Sequence, residues 1–98
     1  MTAAAALSLP MSLDELQTIL RANGVIKASV FGSYARGEQT AESDLDLFIT
    51  CKAGMSLFDV FDLQAELEKQ AGIKVDLVTK INRNFIEYIE PDLIDLDI

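Results

Sequence analysis

The sequence predicts an α+β fold of αβαβαβ type, in which helices and strands alternate along the chain. Two observations carry this prediction: helical periodicity follows a capping residue at two places, and short β-prone runs bounded by glycine separate the helical segments. The chain has 98 residues, half of them hydrophobic, and a domain of this size buries roughly 60–65% of the surface that its unfolded chain exposes. We therefore predict a single domain over residues 12–98 with one core.

The first helix is predicted to begin at Ser12. Ser12 and Glu15 have the spacing of a capping box, in which each side chain accepts a hydrogen bond from the other residue's backbone amide. One helical face then carries Leu13, Leu16, Ile19 and Leu20. The pair Asn23-Gly24 suits the left-handed end of a helix, so we expect the helix to end there.

Two strands follow, joined by a turn and a polar loop. Residues 25–31 are rich in Val, Ile and Phe between two glycines and predict the first strand. Residues 34–36 are expected to form a short helical turn closed by Gly37, and residues 38–43 a polar loop. The second strand is predicted over residues 44–50.

The longest helix is predicted to start after Ser56 and to run to about Ala71. Ser56 is a favourable N-cap, and Asp59 at the third helical position favours the helix start electrostatically. The core stripe of this helix consists of Val60, Leu63, Leu67 and Ala71. These features predict a helix that packs against the sheet.

Three further apolar residues, Leu57, Phe58 and Phe61, lie at the start of this helix. We interpret them as an extension of the core, because large apolar side chains are most often buried. The alternative is a docking surface for a protein partner.

The last part of the chain predicts two more strands. Residues 73–79 follow the helix-ending Gly72 and alternate with strand periodicity. Residues 82–84 predict a turn, and residues 85–89 a short helix that is stopped by the following proline. Alternation over residues 94–98 is typical of a strand.

The net charge of the chain limits the class of partner that it can bind. The chain has 8 Lys and Arg against 16 Asp and Glu, a formal charge of −8, which argues against direct binding to a nucleic-acid backbone. Any nucleotide must therefore arrive with its own cations. No run of 18 apolar residues is present, so no membrane-spanning helix is predicted.

The compartment is predicted from the N-terminus and the cysteine content. Residues 1–11 are small and apolar without a basic segment, and we expect a flexible terminus instead of a signal peptide. The single Cys51 cannot form an internal disulfide and is expected to be a half-buried thiol. A cytoplasmic protein is the prediction.

A phosphate-binding turn is predicted directly after the first strand. Gly32 lets a polyphosphate approach the backbone, and Ser33 adds a hydroxyl donor at the start of a helical turn. Arg36 adds positive charge from the same turn or holds a site carboxylate in place. A Gly-Ser pair alone is more often only a turn.

Asp44 and Asp46 are spaced so that their side chains share one face of the second strand. Two like charges at this separation repel unless a cation lies between them, and Mg²⁺ prefers such oxygen ligands together with substrate phosphates. An Asp-x-Asp pair alone favours a solvated strand edge, which is our interpretation of Asp95 and Asp97. The nearby glycine-serine turn distinguishes the first pair.

Two-metal phosphoryl or nucleotidyl transfer usually needs a third carboxylate. Asp76 is the candidate, because it is the one acidic residue in the run from Ile73 to Lys80. The chain has no histidine, so Asp76 or an oxygen bound to the metal would receive the proton of an attacking hydroxyl. An ion pair of Asp76 with Lys74 or Lys80 is the competing interpretation.

Three segments resemble the motifs of the minimal nucleotidyltransferases of the DNA polymerase β superfamily. They are Gly-Ser-Tyr-Ala-Arg-Gly at 32–37, Ser-Asp-Leu-Asp-Leu at 43–47 and Val-Asp-Leu-Val at 75–78. The resemblance covers roughly residues 12–80. It implies a mixed sheet flanked by helices, ATP as nucleotide donor, and Asp44, Asp46 and Asp76 as ligands of Mg²⁺ or Mn²⁺.

The resemblance also implies a biological setting. Single domains of this family are often antitoxins of an all-helical HEPN ribonuclease toxin, which they neutralise by transferring AMP to a tyrosine hydroxyl. We therefore expect a magnesium-dependent adenylyltransferase acting on a HEPN toxin, within an oligomer or a hetero-oligomer. The alternatives are an antitoxin or nucleotide-binding module that acts by complex formation without catalysis, and a small acidic domain with a chance metal site.

Overall fold

Helices and strands alternate along the chain as the sequence predicts. The structure, a computed structural model, describes residues 8–79, 93–96 and 98. The helices are α1 (Leu13–Ala22), α2 (Ser33–Arg36) and α3 (Leu57–Ala71), and the strands are β1 (Val25–Phe31), β2 (Leu45–Cys51), β3 (Val75–Val78) and β4 (Ile94–Asp95). The turn predicted over 82–84 and the helix predicted over 85–89 lie outside the described residues.

The four strands form one mixed sheet in the order β3-β2-β1-β4. β1 pairs antiparallel with both β2 and β4, whereas β2 and β3 are parallel. A parallel pair needs a long crossover, and α3 supplies it. The α+β class and the mixed sheet are thereby confirmed, and the two parallel strands begin at the same end of the sheet.

One face of the sheet carries the core. On β2, the side chains of Leu45, Leu47 and Ile49 are fully buried, while the residues between them face the other side and keep contact with solvent. The buried cluster joins these side chains to Leu16 and Leu20 of α1, to Leu63 and Leu67 of α3, and to Ala28, Val30 and Val75 of the sheet. α1 and α3 therefore cover one face, and Asp46 lies on the opposite face.

Side-chain caps explain where the two long helices begin. The Ser12 hydroxyl accepts a hydrogen bond from the Glu15 amide at 3.0 Å. At α3 the cap is reciprocal: Ser56 Oγ accepts from the Asp59 amide at 3.3 Å, and Asp59 Oδ2 accepts from the Ser56 amide at 2.9 Å. Asp59 was predicted to favour the helix start only electrostatically, but its side chain also completes a capping box.

The prediction that Leu57, Phe58 and Phe61 extend the core is wrong. Their exposed fractions are 69%, 78% and 60%. The reason is angular: Phe61 is two residues and Phe58 five residues from the buried Leu63, so at about 100° per residue both point away from the buried stripe. The start of α3 therefore presents apolar side chains to solvent.

Packing extends beyond the predicted N-terminal boundary. Met11 is buried, and Leu9 packs against the core cluster.

Cys51 is half-buried as predicted, and burial raises the pKa of its thiol. Within the described residues, no helix combines the length and the apolar character needed to cross a membrane.

Candidate active site

Gly32 joins β1 to α2 in a conformation that favours glycine. Its φ is +76° and its ψ is −152°, a region of backbone space nearly restricted to glycine. A Cβ atom at this position would also collide with Oδ2 of Asp46 and lie 3.2 Å from its Cγ. The turn between β1 and α2 is therefore packed directly against the Asp46 carboxylate.

α2 is a single helical turn, one residue longer at its start than predicted. It runs from Ser33 to Arg36 and ends at Gly37, whose φ of +72° is left-handed as expected for a helix end. The Ser33 carbonyl accepts a hydrogen bond from the Glu38 amide at 2.9 Å. Gly32 precedes the turn as its N-cap without a side-chain hydrogen bond.

Strand register brings two of the predicted carboxylates side by side. Asp46 of β2 is the parallel partner of Asp76 of β3 and the antiparallel partner of Phe31 of β1. Directly paired residues project to the same face of a sheet. Asp44 precedes the first residue of β2 by one position, so it also lies at this end of the sheet.

The charges around Asp46 show that the predicted site residues are electrostatic neighbours. Burial raises the pKa of Asp46 above its ordinary value, and the negative charges of Asp76 and Asp44 raise it further. The positive charge of Arg36 opposes these effects by lowering the pKa. Desolvation and like charge both disfavour the ionised carboxylate, so a cation bound here would relieve an existing electrostatic cost.

Arg36 serves a second carboxylate as well. Its Nε donates to Glu38 Oε2 at 3.4 Å, and both side chains are largely exposed. Such a surface pair is weak and easily exchanged. The guanidinium also lies close enough to Asp46 to lower its pKa, which is consistent with either predicted role of Arg36.

The three aspartates offer the oxygen ligands of a hard-cation site, but their carboxylates do not converge on one position. Among residues 8–79, 93–96 and 98, no three His, Cys, Asp or Glu side chains converge as a ready metal-binding group. Mutual repulsion keeps uncompensated carboxylates apart. Carboxylate oxygens are nevertheless the ligands that Mg²⁺ takes, usually one or two at a time with substrate phosphates, so Asp44, Asp46 and Asp76 fit that ion.

The competing interpretation of Asp76, an ion pair with Lys74, is not realised. Asp76 is exposed, and in the part of the chain that the structure describes the ion pair found is that of Arg36 with Glu38. Lys80, the other predicted partner, lies outside the described residues. Asp76 therefore presents its carboxylate to solvent beside Asp46.

The loop before β2 positions Asp44 through contacts that the sequence analysis missed. The Thr40 amide donates to Ser43 Oγ at 2.8 Å, and the Ser43 amide donates to the Thr40 carbonyl at 3.1 Å. The Leu45 amide then donates to the Lys74 carbonyl at 3.0 Å. Thr and Ser three residues apart are a sequence signal for such a turn, and together these bonds fix Asp44 between the loop and β3.

Asp95, from the second Asp-x-Asp pair, is exposed as predicted, but it is more than a solvated residue. It is exposed, yet its Oδ1 accepts a 2.6 Å hydrogen bond from the hydroxyl of the buried Ser29. Ser29 and Asp95 are also paired across β1 and β4. Asp95 therefore fastens the edge strand, while Asp97 lies outside the described residues.

Comparison with known proteins agrees with this fold. A family model described as polymerase beta nucleotidyltransferase matches residues 14–91. The protein adenylyltransferase MntA of Thermococcus cleftensis is 37% identical over 78 residues, which cover 71% of this chain and 79% of that protein. The resemblance to this family is thereby confirmed over most of the chain.

Two solved structures share the fold. A chain provisionally described as a minimal nucleotidyltransferase matches with a TM-score of 0.75 and 31% identity, covering 84% of this chain and 86% of that chain. A chain from a crystal structure of a toxin-antitoxin with AMP-PNP matches with a TM-score of 0.63 and 26% identity, covering 69% of this chain and 56% of that chain. This chain belongs to the polymerase β nucleotidyltransferase family, as a minimal nucleotidyltransferase.

Proposed function

We propose that this chain transfers AMP from ATP to a tyrosine hydroxyl of a HEPN-type helical toxin and thereby acts as its antitoxin. The observation that carries the proposal is the pairing of Asp46 with Asp76, with Gly32 packed against Asp46. The glycine turn and a pair of oxygen donors then lie together at one end of the sheet. The names of the relatives, a protein adenylyltransferase and a toxin-antitoxin with AMP-PNP, support a protein acceptor, a toxin partner and an adenine-nucleotide donor.

In the proposed reaction, the acceptor oxygen forms a bond to the α-phosphorus of ATP. The bond from that phosphorus to the oxygen bridging the β-phosphate breaks, and pyrophosphate leaves. Mg²⁺, or Mn²⁺, held by Asp44, Asp46 and Asp76 would neutralise charge on the phosphate oxygens and align the two reacting groups. Gly32 and Ser33 would hold the polyphosphate through the backbone and the hydroxyl.

Asp76 is the residue we assign to the acceptor's proton. It lies on β3, one of the two edge strands among the described residues of the sheet, and its side chain is exposed. A bulky protein acceptor can therefore reach it, which is harder for the more buried Asp46. Asp46 is better placed to hold the donor side, where Arg36 offsets part of its unfavourable charge.

A second function is neutralisation by complex formation alone. The exposed Leu57, Phe58 and Phe61 favour it, because they offer a contact surface that needs no catalytic residue. The two functions separate cleanly in cells. A variant without catalytic carboxylates abolishes protection if transfer is required and keeps it if binding suffices.

The test of catalysis uses a purified HEPN-type toxin, sought first in the gene next to that of this chain, together with labelled ATP and Mg²⁺. We expect label on a toxin tyrosine with wild type and none with Asp44→Asn/Asp46→Asn. The matched control is Asp95→Asn/Asp97→Asn, which removes the same charge at the same spacing and retains an oxygen acceptor for Ser29. Equal labelling by both double variants would exclude the proposed site, and absence of labelling by wild type would exclude the transfer. ATP and the toxin would meet this chain in the cytoplasm, where we place it.

A further inference from the structure

The start of α3 carries an apolar surface that the proposed chemistry does not use. Leu57, Phe58 and Phe61, here called the α3 apolar patch, occupy its first two turns and are exposed by 69%, 78% and 60%. Scattered single apolar residues on a surface need no explanation, but three adjacent large ones, two of them aromatic, are typical of protein interfaces.

The patch lies at the opposite end of the molecule from the carboxylates. α3 leaves the sheet after Cys51, where β2 ends, and returns to Val75, where β3 begins beside Asp76. From Asp46 to Cys51 the strand advances about 17 Å, and the 15-residue helix spans about 22 Å. A protein bound at the patch therefore leaves the nucleotide end accessible.

A cavity adjoins the patch. It has a volume of about 440 Å³ and is lined by residues 50–57 together with Val60 and Thr79. Leu57 belongs to both the patch and the cavity wall. Interface anchors are typically aromatic or Arg side chains that fill such pockets next to an apolar centre.

The charge beside the patch defines the partner's chemistry. Asp59, Asp62 and Glu66 are exposed on the neighbouring face of α3, where Lys69 is the basic residue of the last turn. The whole chain carries a formal charge of −8. The α3 apolar patch and the acidic residues beside it together complement a partner protein whose surface has an apolar centre and a rim of Lys and Arg.

We propose that the α3 apolar patch is the docking surface for the toxin partner, which presents an apolar surface rimmed by Lys and Arg. The proposal rests on the proposed function, since it assigns the partner named there to this surface. It makes docking and AMP transfer spatially separate: the toxin is held at one end of the sheet and its tyrosine is presented at the other.

The experiment measures by calorimetry the affinity of the purified chain for the same HEPN-type toxin as in the test of catalysis. The variant is Phe58→Ser/Phe61→Ser. The control is Ile26→Ser on β1, because Ile26 is exposed by 60%, the same fraction as Phe61. In a separate experiment, ATP and Mg²⁺ are added to each variant. The resulting shift in melting temperature reports whether the nucleotide end is intact.

We expect the patch variant to bind more than about 30-fold more weakly, with an unchanged nucleotide-induced thermal shift, and the control to differ from wild type by less than about twofold. Wild-type affinity should fall with added salt, and Asp62→Asn/Glu66→Gln should reduce that dependence.

Three results would overturn the assignment. They are full binding by the patch variant, equal losses in the patch variant and the Ile26 control, and self-association of the chain that the patch substitutions abolish. Failure of wild type to bind the toxin is a different result, because it removes the proposed function itself.

Discussion

Asp46 and Asp95 belong to Asp-x-Asp pairs of identical spacing, but the two residues have different surroundings. Asp46 lies on β2, a central strand, between Phe31 of β1 and Asp76 of β3. Asp95 lies on β4, a two-residue edge strand, opposite Ser29. The difference shows that spacing selects which face two carboxylates share, whereas the neighbouring strands decide what those carboxylates can do.

The charged and polar groups around Asp46 and Asp95 also differ. The neighbours of Asp46 include two carboxylates, which raise its pKa together with burial, and one guanidinium, which opposes them. Asp95 instead receives a hydroxyl hydrogen bond of 2.6 Å. The first carboxylate is electrostatically incomplete and suited to a cation, while the second already has its partner.

The largest expected effect separates Asp76 from Asp95. Asp76→Asn removes a ligand and the proposed proton acceptor, so we expect AMP transfer to fall by about a thousandfold, equivalent to about 4 kcal/mol of transition-state stabilisation. Asp95→Asn should leave the rate within about twofold of wild type. Single-turnover labelling of the toxin measures both. Comparable losses in the two variants would mean that the pairs are not functionally distinct.

Glycine substitutions test whether contact with the Asp46 carboxylate matters. Gly32→Ala introduces a positive-φ strain and a collision with Asp46, whereas Gly37→Ala introduces strain at a similar φ with open space around the new methyl group. We expect Gly37→Ala to cost about 1–2 kcal/mol of unfolding free energy with transfer largely retained. Gly32→Ala should cost more and lower transfer at least about a hundredfold, through displacement of the carboxylate. Denaturant unfolding and labelling distinguish these outcomes, and equal activity of the two variants would refute the contact's importance.

Parts of this fold are predictable from local signals. Ser56 and Gly72 bound α3 because caps act within a turn of the helix, and the alternation from Leu45 to Ile49 identifies the buried face of β2. The candidate aspartates were likewise recognisable by type and spacing. These signals need no knowledge of distant residues.

Other parts depend on packing between distant residues. The partnership of Asp46 with Asp76 joins positions 30 residues apart and requires the register of β2 and β3. The bond from Ser29 to Asp95 spans 66 residues. Phe58 and Phe61 were misassigned because composition indicates burial, while only the orientation of α3 on the sheet shows which side chains face solvent.

A smaller effect tests the structural role of the second pair. Ser29→Ala removes the hydroxyl that donates to Asp95, and we expect a loss of about 1–2 kcal/mol in unfolding free energy. Transfer per folded molecule should remain near wild type, because the Ser29–Asp95 hydrogen bond joins β1 to β4 and not the strands that carry the proposed carboxylates. Chemical denaturation gives the first quantity and labelling of folded protein the second. A large catalytic loss with unchanged stability would place Ser29 and Asp95 in the active site.

The smallest expected effect is a pH-dependent gain in the stability of the Asp46→Asn variant over wild type. The raised pKa of Asp46 means that the folded protein holds this proton more tightly than the unfolded chain, so the ionised carboxylate costs stability as pH rises above its ordinary pKa of 3.8. Without divalent cations, Asp46→Asn should therefore melt a few degrees higher than wild type at about pH 7. The difference should shrink as pH falls toward about 4. A variant less stable than wild type at neutral pH would contradict this electrostatic picture.

The most direct measurement is Mn²⁺ binding followed by electron paramagnetic resonance, with ATP present, for wild type, Asp46→Asn and Asp95→Asn. It reports the cation itself and does not depend on catalysis or on the toxin. We expect wild type and Asp95→Asn to bind Mn²⁺ alike, and Asp46→Asn to bind at least about tenfold more weakly than either. Equal binding by all three proteins would contradict the central claim that the carboxylates at the start of β2 and β3 form the metal site.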